Sequence, residues 1–211
     1  MDFMQVEPGM HDDYLALEKA WKKLHTASKK AGKISGWTLE RVVSPGGSSM
    51  AYNYITRQRL DGEKQLAGYL SGTNMPDNWT SLLTPDELAL VMRTSEIRTW
   101  VKLEVWSSVD RVMAEKMENA KVNTFNYFSV PEGKTNEDHY QMERDIWMPV
   151  HSQRVNSGTM KGWVLLDLVM PMGNTQPYSC ATVDIYTDME QMLAPFLEDT
   201  FCQSPSGEKH R

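Results

Sequence analysis

The sequence contains an internal repeat, which is found when the chain is shifted by 126 positions against itself. Residues 14–56 then align with residues 140–182, and twelve of the 43 aligned pairs are identical. Composition alone gives roughly two or three identities over such a length, and the identical pairs include the rare residues tryptophan and histidine. Upstream of the repeated helix, the match continues at an offset of 124. These matches predict two copies of one structural unit.

Each copy has the pattern of a strand, a helix and two further strands. In the first copy, apolar residues spaced by three or four positions predict a helix that begins near Asp12 and ends at Gly32. The strands of this copy are predicted over 3–6, 36–43 and 52–60. In the second copy, the helix is predicted over 136–156, and the strands over 122–130, 162–169 and 178–186. Pro149 lies inside that second helix, and we expect a kink there.

The segment between the copies completes the first one. A helix start at Thr84 and an alternating strand over 97–106 extend the order of the first copy to βαββαβ. The second copy has a matching second helix over 188–201, but no segment before Arg211 matches the final strand. We therefore predict a first repeat over residues 1–110, a second repeat over 121–203 that lacks its last strand, and a flexible tail over 204–211.

Composition and motifs disfavour several classes of function. The 22 Lys and Arg residues and the 28 Asp and Glu residues give a net charge of −6, which argues against nucleic acid or a membrane surface as a partner. No apolar run is long enough to span a bilayer, and Cys180 and Cys202 lack the spacing of a metal or redox motif. Motifs of metalloproteases, α/β-hydrolases and nucleotide-binding enzymes are absent. The sequence as written predicts a cytoplasmic protein, or an exported one whose signal has been removed.

The tandem βαββαβ order carries a family resemblance. Together with the Val-x-Pro-Gly motif at 6–9 and the Gly-Trp pairs at 36–37 and 162–163, it resembles the ferredoxin-like dimeric α/β-barrel superfamily, which includes antibiotic-biosynthesis-monooxygenase-like proteins. Segments 147–151 and 160–163 are similar to a group of uncharacterised bacterial proteins, many of them exported. The resemblance implies an α+β protein whose two antiparallel sheets pack face to face as a pseudo-dimeric α/β barrel, with the helices outside. It brings no established catalytic residue.

In that architecture, the strand faces turned away from the helices line a cavity between the sheets. Strand alternation assigns the aliphatic faces, such as that of Val101 and that of Val183, to the side under the helices. Packing between the two sheets explains an aromatic opposite face without any ligand. The candidate ligand-binding residues on the opposite faces are Trp37, Tyr52, Tyr54, Trp100, Lys102, Trp163, Asp167, Tyr178 and Asp184.

His25 and His151 are the strongest candidates for chemistry, because imidazole transfers protons near neutral pH and binds metals or haem iron. Each follows a repeated tryptophan by four residues, at the edge of the apolar stripe of its helix. A helix outside the sheet keeps such a ring away from the cavity, so a structural role is the favoured interpretation. No ligand spacing predicts a metal site, we expect no cofactor, and the catalytic residues stay unassigned.

Three functions remain open at the level of the sequence. We predict that the protein binds a small, mostly apolar molecule in the cavity between its sheets. The alternatives are a cofactor-independent or haem-dependent monooxygenase-like oxidoreductase, and a non-catalytic interaction protein that uses the open sheet edge. The expected partner is therefore a small molecule, and the expected assembly is a monomeric pseudo-dimer or a homodimer.

Overall fold

Two antiparallel sheets of four strands each organise the chain, so the predicted α+β class is confirmed. The computed structural model describes residues 1–44, 51–173 and 176–201, the last six by their backbone only. The predicted tail over 204–211 and Cys202 lie outside the described residues. The chain divides into two compact units, Met1–Glu104 and Val105–Arg211, and each unit contains one sheet.

The first unit holds the full set of predicted strands. Its sheet has the order β2-β3-β1-β4, which places the last strand beside the first and is compatible with a ferredoxin-like fold. Three short helices and a 3₁₀ turn over Trp79–Leu82 take the place of a single second helix. The elements in chain order are β1 (Asp2–Val6), α1 (His11–Lys30), β2 (Gly36–Arg41), β3 (Tyr54–Arg59), α2 (Glu63–Leu70), α3 (Pro85–Met92), α4 (Thr94–Ile97) and β4 (Arg98–Leu103).

In the second unit, the fourth strand of the sheet lies at the opposite edge from that in the first unit. Its sheet has the order β5-β7-β8-β6, and β5 is a strand that the repeat did not predict. A helical turn of π type over Glu143–Trp147 joins α5 to α6. The elements in chain order are β5 (Val105–Met113), β6 (Val122–Phe128), α5 (Asn136–Met142), α6 (Met148–Asn156), β7 (Gly162–Met170), β8 (Cys180–Tyr186) and α7 (Met189–Phe201).

The strand predicted over 97–106 is two strands in the structure. Strand β4 ends at Leu103 in the first sheet, and β5 begins at Val105 in the second sheet. Residues 105–110, which the repeat boundaries had assigned to the first copy, therefore pair with β7 instead. Among the described residues, no strand pairs with the outer edge of β6, where the sequence left the final strand of the second copy unaccounted for.

The repeated strands pair in the same register in both sheets. Thr56 lies opposite Asp2 in the first sheet, and Thr182 lies opposite Asn126 in the second. Thr182 follows Thr56 by 126 positions, and Asn126 follows Asp2 by 124 positions, which are the two offsets of the sequence repeat. Each pair also carries a side-chain hydrogen bond, of 3.4 Å from Thr56 to Asp2 and of 3.2 Å from Asn126 to Thr182.

Helix α1 covers one face of the first sheet with a stripe of apolar residues. Tyr14, Leu17 and Leu24 are fully buried at the three-and-four spacing of an amphipathic helix. Tyr14 and Leu17 pack against Met4 of β1 and Tyr54 of β3. Acidic side chains lie in the first turn and lysines in the last, which suits the dipole of the helix.

Both repeated helices end in the same way, at glycines that the sequence predicted as stops. Gly32 has a φ of 66° and Gly158 a φ of 79°, a left-handed conformation that side chains disfavour. After α1, the amide of Gly32 donates to the carbonyl of Lys29 and the amide of Lys33 to that of Ser28. This pair of hydrogen bonds is a Schellman motif, and it satisfies carbonyls at the end of the helix.

The helix predicted over 136–156 has these bounds in the structure. It contains the π turn over Glu143–Trp147, and Pro149 lies in the first turn of α6, directly after it. Pro149 has no amide hydrogen, and its ring crowds the carbonyl four residues earlier. The amide of Met148 donates to the carbonyl of Glu143, five residues back, which is the hydrogen bond of a π turn. The π turn inserts one extra residue into this helix relative to α1.

We expect the Gly32→Ala variant to lose about 1 kcal/mol of unfolding free energy, because alanine at this position must adopt a strained left-handed φ. No atom lies near the added Cβ, so the loss isolates backbone strain. Urea unfolding measures the change. The exposed Lys30→Ala variant is the control and should change stability by less than about 0.5 kcal/mol. Equal losses in the two variants would contradict this prediction.

Candidate functional site

Three stacked aromatic rings join the helix of the first unit to its sheet. Trp21 and His25 lie one turn apart on α1, with their ring centroids 5.8 Å apart and their planes inclined by 24°. The His25 ring also stacks on Trp37 of β2, at 5.1 Å and 23°. Nearly parallel rings at these distances make a favourable aromatic contact. His25 thus contacts one tryptophan from its own helix and one from the sheet.

The second unit contains the same Trp-His-Trp stack. The ring centroids of Trp147 and His151 are 6.1 Å apart, and those of His151 and Trp163 are 5.2 Å apart. The interplanar angles are 29° and 15°. All three residues match their counterparts in the first unit at the offset of 126. The rare identities of the repeat therefore form one packing contact that occurs in both units.

Burial keeps both histidines uncharged. Loss of hydration lowers the pKa of His25 to about 4, and the nearby Arg98 guanidinium acts in the same direction. Burial and Arg154 likewise lower the pKa of His151 to about 4. A neutral ring at pH 7 suits aromatic packing, and it gives no proton transfer near neutral pH. The favoured structural interpretation of both histidines agrees with these surroundings.

The two histidines should make stability depend on pH. An unfolded histidine binds a proton below about pH 6.5, whereas the buried rings stay neutral until about pH 4. Their contribution to stability is therefore complete above pH 6.5 and is lost as the pH falls toward 4, with a slope of up to about 1.4 kcal/mol per pH unit for each ring.

The double variant His25→Phe, His151→Phe removes this titration and keeps a ring in each stack. We expect its unfolding free energy to fall less steeply than that of the wild type between pH 6.5 and pH 4. Urea unfolding at several pH values measures both slopes, and an unchanged m-value shows that the same structure unfolds. Equal slopes would contradict the assignment of neutral rings.

A cavity of about 540 Å³ opens in the first unit between α1 and the sheet face that α1 covers. Its volume lies in the range of sites that hold small molecules. All four strands of this sheet and helices α1 to α4 contribute to its walls. The aromatic part of the lining consists of Trp21, His25, Trp37 and Trp100.

Five polar side chains in the lining of this cavity form two groups. The Asp2 carboxylate accepts hydrogen bonds from the hydroxyls of Tyr69, at 2.5 Å, and Thr56, at 3.4 Å. The Arg98 Nε atom lies 3.8 Å from Glu18 Oε1, which is an ion-pair distance but too long for a hydrogen bond. Polar groups of this kind fix the orientation of a ligand within an otherwise apolar site.

The ionisation of these groups follows from their burial. Loss of hydration raises the pKa of Glu18, and the Arg98 guanidinium opposes that rise. The pKa of the Tyr69 hydroxyl is also raised, first by burial and then by the Asp2 charge, so the hydroxyl keeps the proton that it donates. Glu18 is consequently a carboxyl group that takes up a proton more readily than an exposed one does.

The mouth of the cavity has an apolar rim. Trp100 is 60% exposed, Met92 is 71% exposed and Leu70 is 45% exposed, and all three line the cavity. Each comes from a different element, namely β4, α3 and α2. Large apolar side chains that stay exposed together around a cavity are typical of a binding site.

The first sheet corrects the predicted faces of several candidate residues. Tyr54 packs under α1, with its ring 4.5 Å from that of Tyr14, although it was assigned to the face away from the helices. Trp37 and Trp100 also lie on the helix side, where the cavity is. Lys102 lies over the Phe3 ring, at 4.3 Å, and near Tyr52, on the other face.

A β-bulge explains why Trp100 and Lys102 are on opposite faces. The register pairs Met4 with Trp100 but Phe3 with Lys102, so Val101 is an extra residue without a partner on β1. One extra residue reverses the alternation of side chains beyond it. Strict alternation along β4 had predicted a single face for both residues, and that prediction was wrong.

The second sheet has the reverse of its predicted faces. Cys180 and Tyr186 belong to the core cluster under the helix, together with Trp163 and Tyr140. Strand alternation places Asp184 on this face as well, and Val183 on the other one. The aliphatic residues of β8 thus face away from the helix that they were predicted to contact.

The remaining candidates in the second unit are also separated by the sheet. Asp167 accepts a hydrogen bond from the Asn136 amide at 3.1 Å, and another from the Tyr140 hydroxyl, on the helix side. Tyr178 instead contacts the ring of Tyr127, with centroids 4.6 Å apart, and stacks with Trp106, at 5.9 Å. Trp106 pairs across the sheet with Leu168, which is on the face opposite to Asp167.

The sequence did not reveal that each unit buries a glutamate under its long helix. Glu18 lies seven residues before His25, and Glu143 lies eight residues before His151. The offset of 126 pairs Glu18 with Arg144, so the repeat hid this match. The extra residue of the π turn brings Glu143 to the buried face instead. In the sequence, the one sign of a buried glutamate was Glu18 itself, a charged residue on the apolar stripe of α1.

Glu143 has different neighbours from those of Glu18. Burial raises its pKa to about 7, and the Asp184 carboxylate adds to the rise. His139 Nε2 lies 3.6 Å from Glu143 Oε1, but burial lowers the pKa of that histidine, so the ring is uncharged at pH 7. Among the described residues of the second unit, no arginine or lysine lies within ion-pair distance of Glu143.

Other chemistries find little support in the described parts of the chain. No group of three or more His, Cys, Asp or Glu side chains there could hold a metal ion. Burial raises the pKa of the Cys180 thiol to about 11, so it is not an activated nucleophile. Within the same residues, every helix is too short or too polar to cross a membrane.

Comparisons with known protein families, with curated proteins and with solved structures gave no match to this chain. The candidate site therefore rests on its own geometry.

Proposed function

We propose that the first unit binds a small, mostly apolar molecule in the cavity under α1. The observation that carries this proposal is the combination of a volume of about 540 Å³, three tryptophans in the lining and an exposed apolar rim. The sequence placed such a site between two sheets, whereas this cavity lies between a helix and its own sheet. A ligand that covers the rim would remove apolar surface from water.

The difference between the two copies supports a binding role for this cavity. Both units contain the Trp-His-Trp stack, which packs a helix on a sheet. Among the described residues, the outer edge of the first repeated strand is covered only in the first unit, where β4 lies beside β1 and supplies Arg98 and Trp100. Arg98 and Trp100 thus add to the cavity two residues that the shared packing does not require.

Titration with the neutral, apolar fluorophore N-phenyl-1-naphthylamine tests the proposal, because its fluorescence rises when it enters an apolar site. We expect saturable binding to the wild type with a stoichiometry of one. The Trp100→Ala variant should bind about tenfold more weakly, since it loses one aromatic wall of the site. Trp106→Ala is the matched control, because it removes a half-buried tryptophan from the second unit, outside the Trp-His-Trp stack, and its affinity should equal that of the wild type.

Methionine methyl NMR signals locate the bound probe. Met4 and Met92 line the cavity, whereas Met160 is buried in the core of the second unit. Binding in the cavity should shift the signals of Met4 and Met92 and leave that of Met160 in place. Absence of saturable binding, or a shift confined to Met160, would contradict the proposal.

The outer edge of β6 supports a second candidate function, in which this strand pairs with a partner. Strand β4 covers the corresponding edge of β1 in the first unit. Exposed strand edges are templates for pairing with another chain. If β6 pairs with a second copy, the mass from light scattering should rise from 24.2 kDa toward twice that value as concentration increases. A constant monomer mass would contradict this homodimer.

We also propose that the two units are tandem ferredoxin-like repeats. The shared register of the repeated strands and the order of the first sheet support this relationship. The packing of both sheets as one pseudo-dimeric α/β barrel remains an expectation from the family resemblance. The same is true of a monooxygenase-like oxidoreductase activity.

A further inference from the structure

The Arg98 guanidinium is buried in the cavity without an adequate acceptor. Its side chain is only 14% exposed, and an arginine side chain carries five N–H donors. Among the described residues, no oxygen accepts a hydrogen bond from it: its Nε atom is buried without a hydrogen-bond partner, and its Nη1 atom donates to the sulfur of Met4. Burial of unsatisfied donors on a charged group costs free energy, so a missing acceptor is expected at this position.

The acceptors already present in the cavity do not fill this role. Asp2 receives the hydroxyls of Tyr69 and Thr56, one on each carboxylate oxygen. Glu18 lies 3.8 Å from the Arg98 Nε atom, and its side chain is only 4% exposed. Arg98 therefore has a counter-charge nearby but no partner that matches its planar donors.

We propose that the ligand of this cavity is an aromatic monocarboxylate whose carboxylate pairs with Arg98 and whose ring packs against Trp21, Trp37 and Trp100. This inference rests on the proposed function, because it specifies the ligand class of the same site. A carboxylate offers two oxygens in the geometry of the guanidinium fork, and such a bidentate pair is strong where water is excluded. The cavity of about 540 Å³ accommodates a bicyclic ring beside the guanidinium.

The charges around Arg98 favour a carboxylate over an ammonium group. An ammonium would have to approach the Arg98 guanidinium, and of the two carboxyl groups in the lining, Glu18 already lies 3.8 Å from Arg98 while Asp2 accepts two hydrogen bonds. A ligand carboxylate would replace Glu18 as the counter-charge of Arg98. Once the ligand carboxylate pairs with Arg98, the protonated form of Glu18 is favoured, because loss of hydration and the Asp2 charge both raise the pKa of Glu18.

Three naphthalene probes that share a ring and differ in charge test this ligand class. They are 1-naphthylacetate, its neutral amide 1-naphthylacetamide and the cation 2-(1-naphthyl)ethylamine, each titrated calorimetrically into the wild-type protein. We expect the carboxylate to bind about tenfold to a hundredfold more tightly than the amide, as a charge-assisted hydrogen bond predicts. The amine should bind more weakly than the amide.

Variants assign the selectivity to single residues. Arg98→Met should abolish the preference for the carboxylate over the amide and keep the binding of N-phenyl-1-naphthylamine, which also shows that the cavity is folded. Glu18→Gln removes the competing carboxylate and should strengthen binding of 1-naphthylacetate. The exposed Arg93, which pairs with Glu96 outside the cavity, is the control. Arg93→Met should leave the preference unchanged.

The outcomes separate the two proposals. If N-phenyl-1-naphthylamine binds but the carboxylate binds no tighter than the amide or the amine, the ligand class is wrong and the cavity function stands. A preference for the carboxylate that persists in Arg98→Met also overturns the ligand class. If neither the neutral fluorophore nor any naphthalene probe binds, both proposals fail.

Discussion

The contact on which each unit depends is the histidine ring stacked on two tryptophans. His25 joins α1 to β2, and His151 joins α6 to β7, through rings of equal type and similar spacing. Burial removes the charge that would otherwise weaken this contact, because an imidazole with a pKa near 4 is neutral at pH 7. The residues that the repeat retains are thus those that fix a long helix on a sheet.

The proposed binding site, in contrast, depends also on a difference between the units. Strand β4 lies beside β1 and brings Arg98 and Trp100 to the helix-covered face of the first sheet. In the second sheet the added strand, β5, lies on the other edge, beside β7. A fold element that is not shared between two copies is free to carry function, since the common packing does not need it.

Much of the architecture could be predicted from residue patterns. The helix over 136–156 has the bounds expected from its stripe and its stop at Gly158, and the repeated strands pair in a common register. The candidate site was predicted less well. Trp37, Trp100 and His25 lie together in the cavity, but Tyr54 packs beneath α1, and Tyr52 and Lys102 are on the other face.

The sheet faces were predicted incorrectly because of features that strand alternation does not reveal. Alternation divides a strand into two faces but does not tell which one a helix covers, and the bulge at Val101 reverses that division within β4. The π turn likewise shifted Glu143 onto the buried face, out of the register of the repeat.

Residue patterns alone specify the two repeated units, their long helices and the tryptophans and histidines that both copies share, because hydrophobic periodicity and repeated rare residues are properties of the chain alone. Long-range packing sets where β5 pairs, that the shared rings stack between helix and sheet, which sheet faces carry the polar residues, and that Asp2, Glu18 and Arg98 meet in one cavity. These three residues come from distant positions in β1, α1 and β4, and no local pattern specifies a contact that forms when a sheet and its helix pack together.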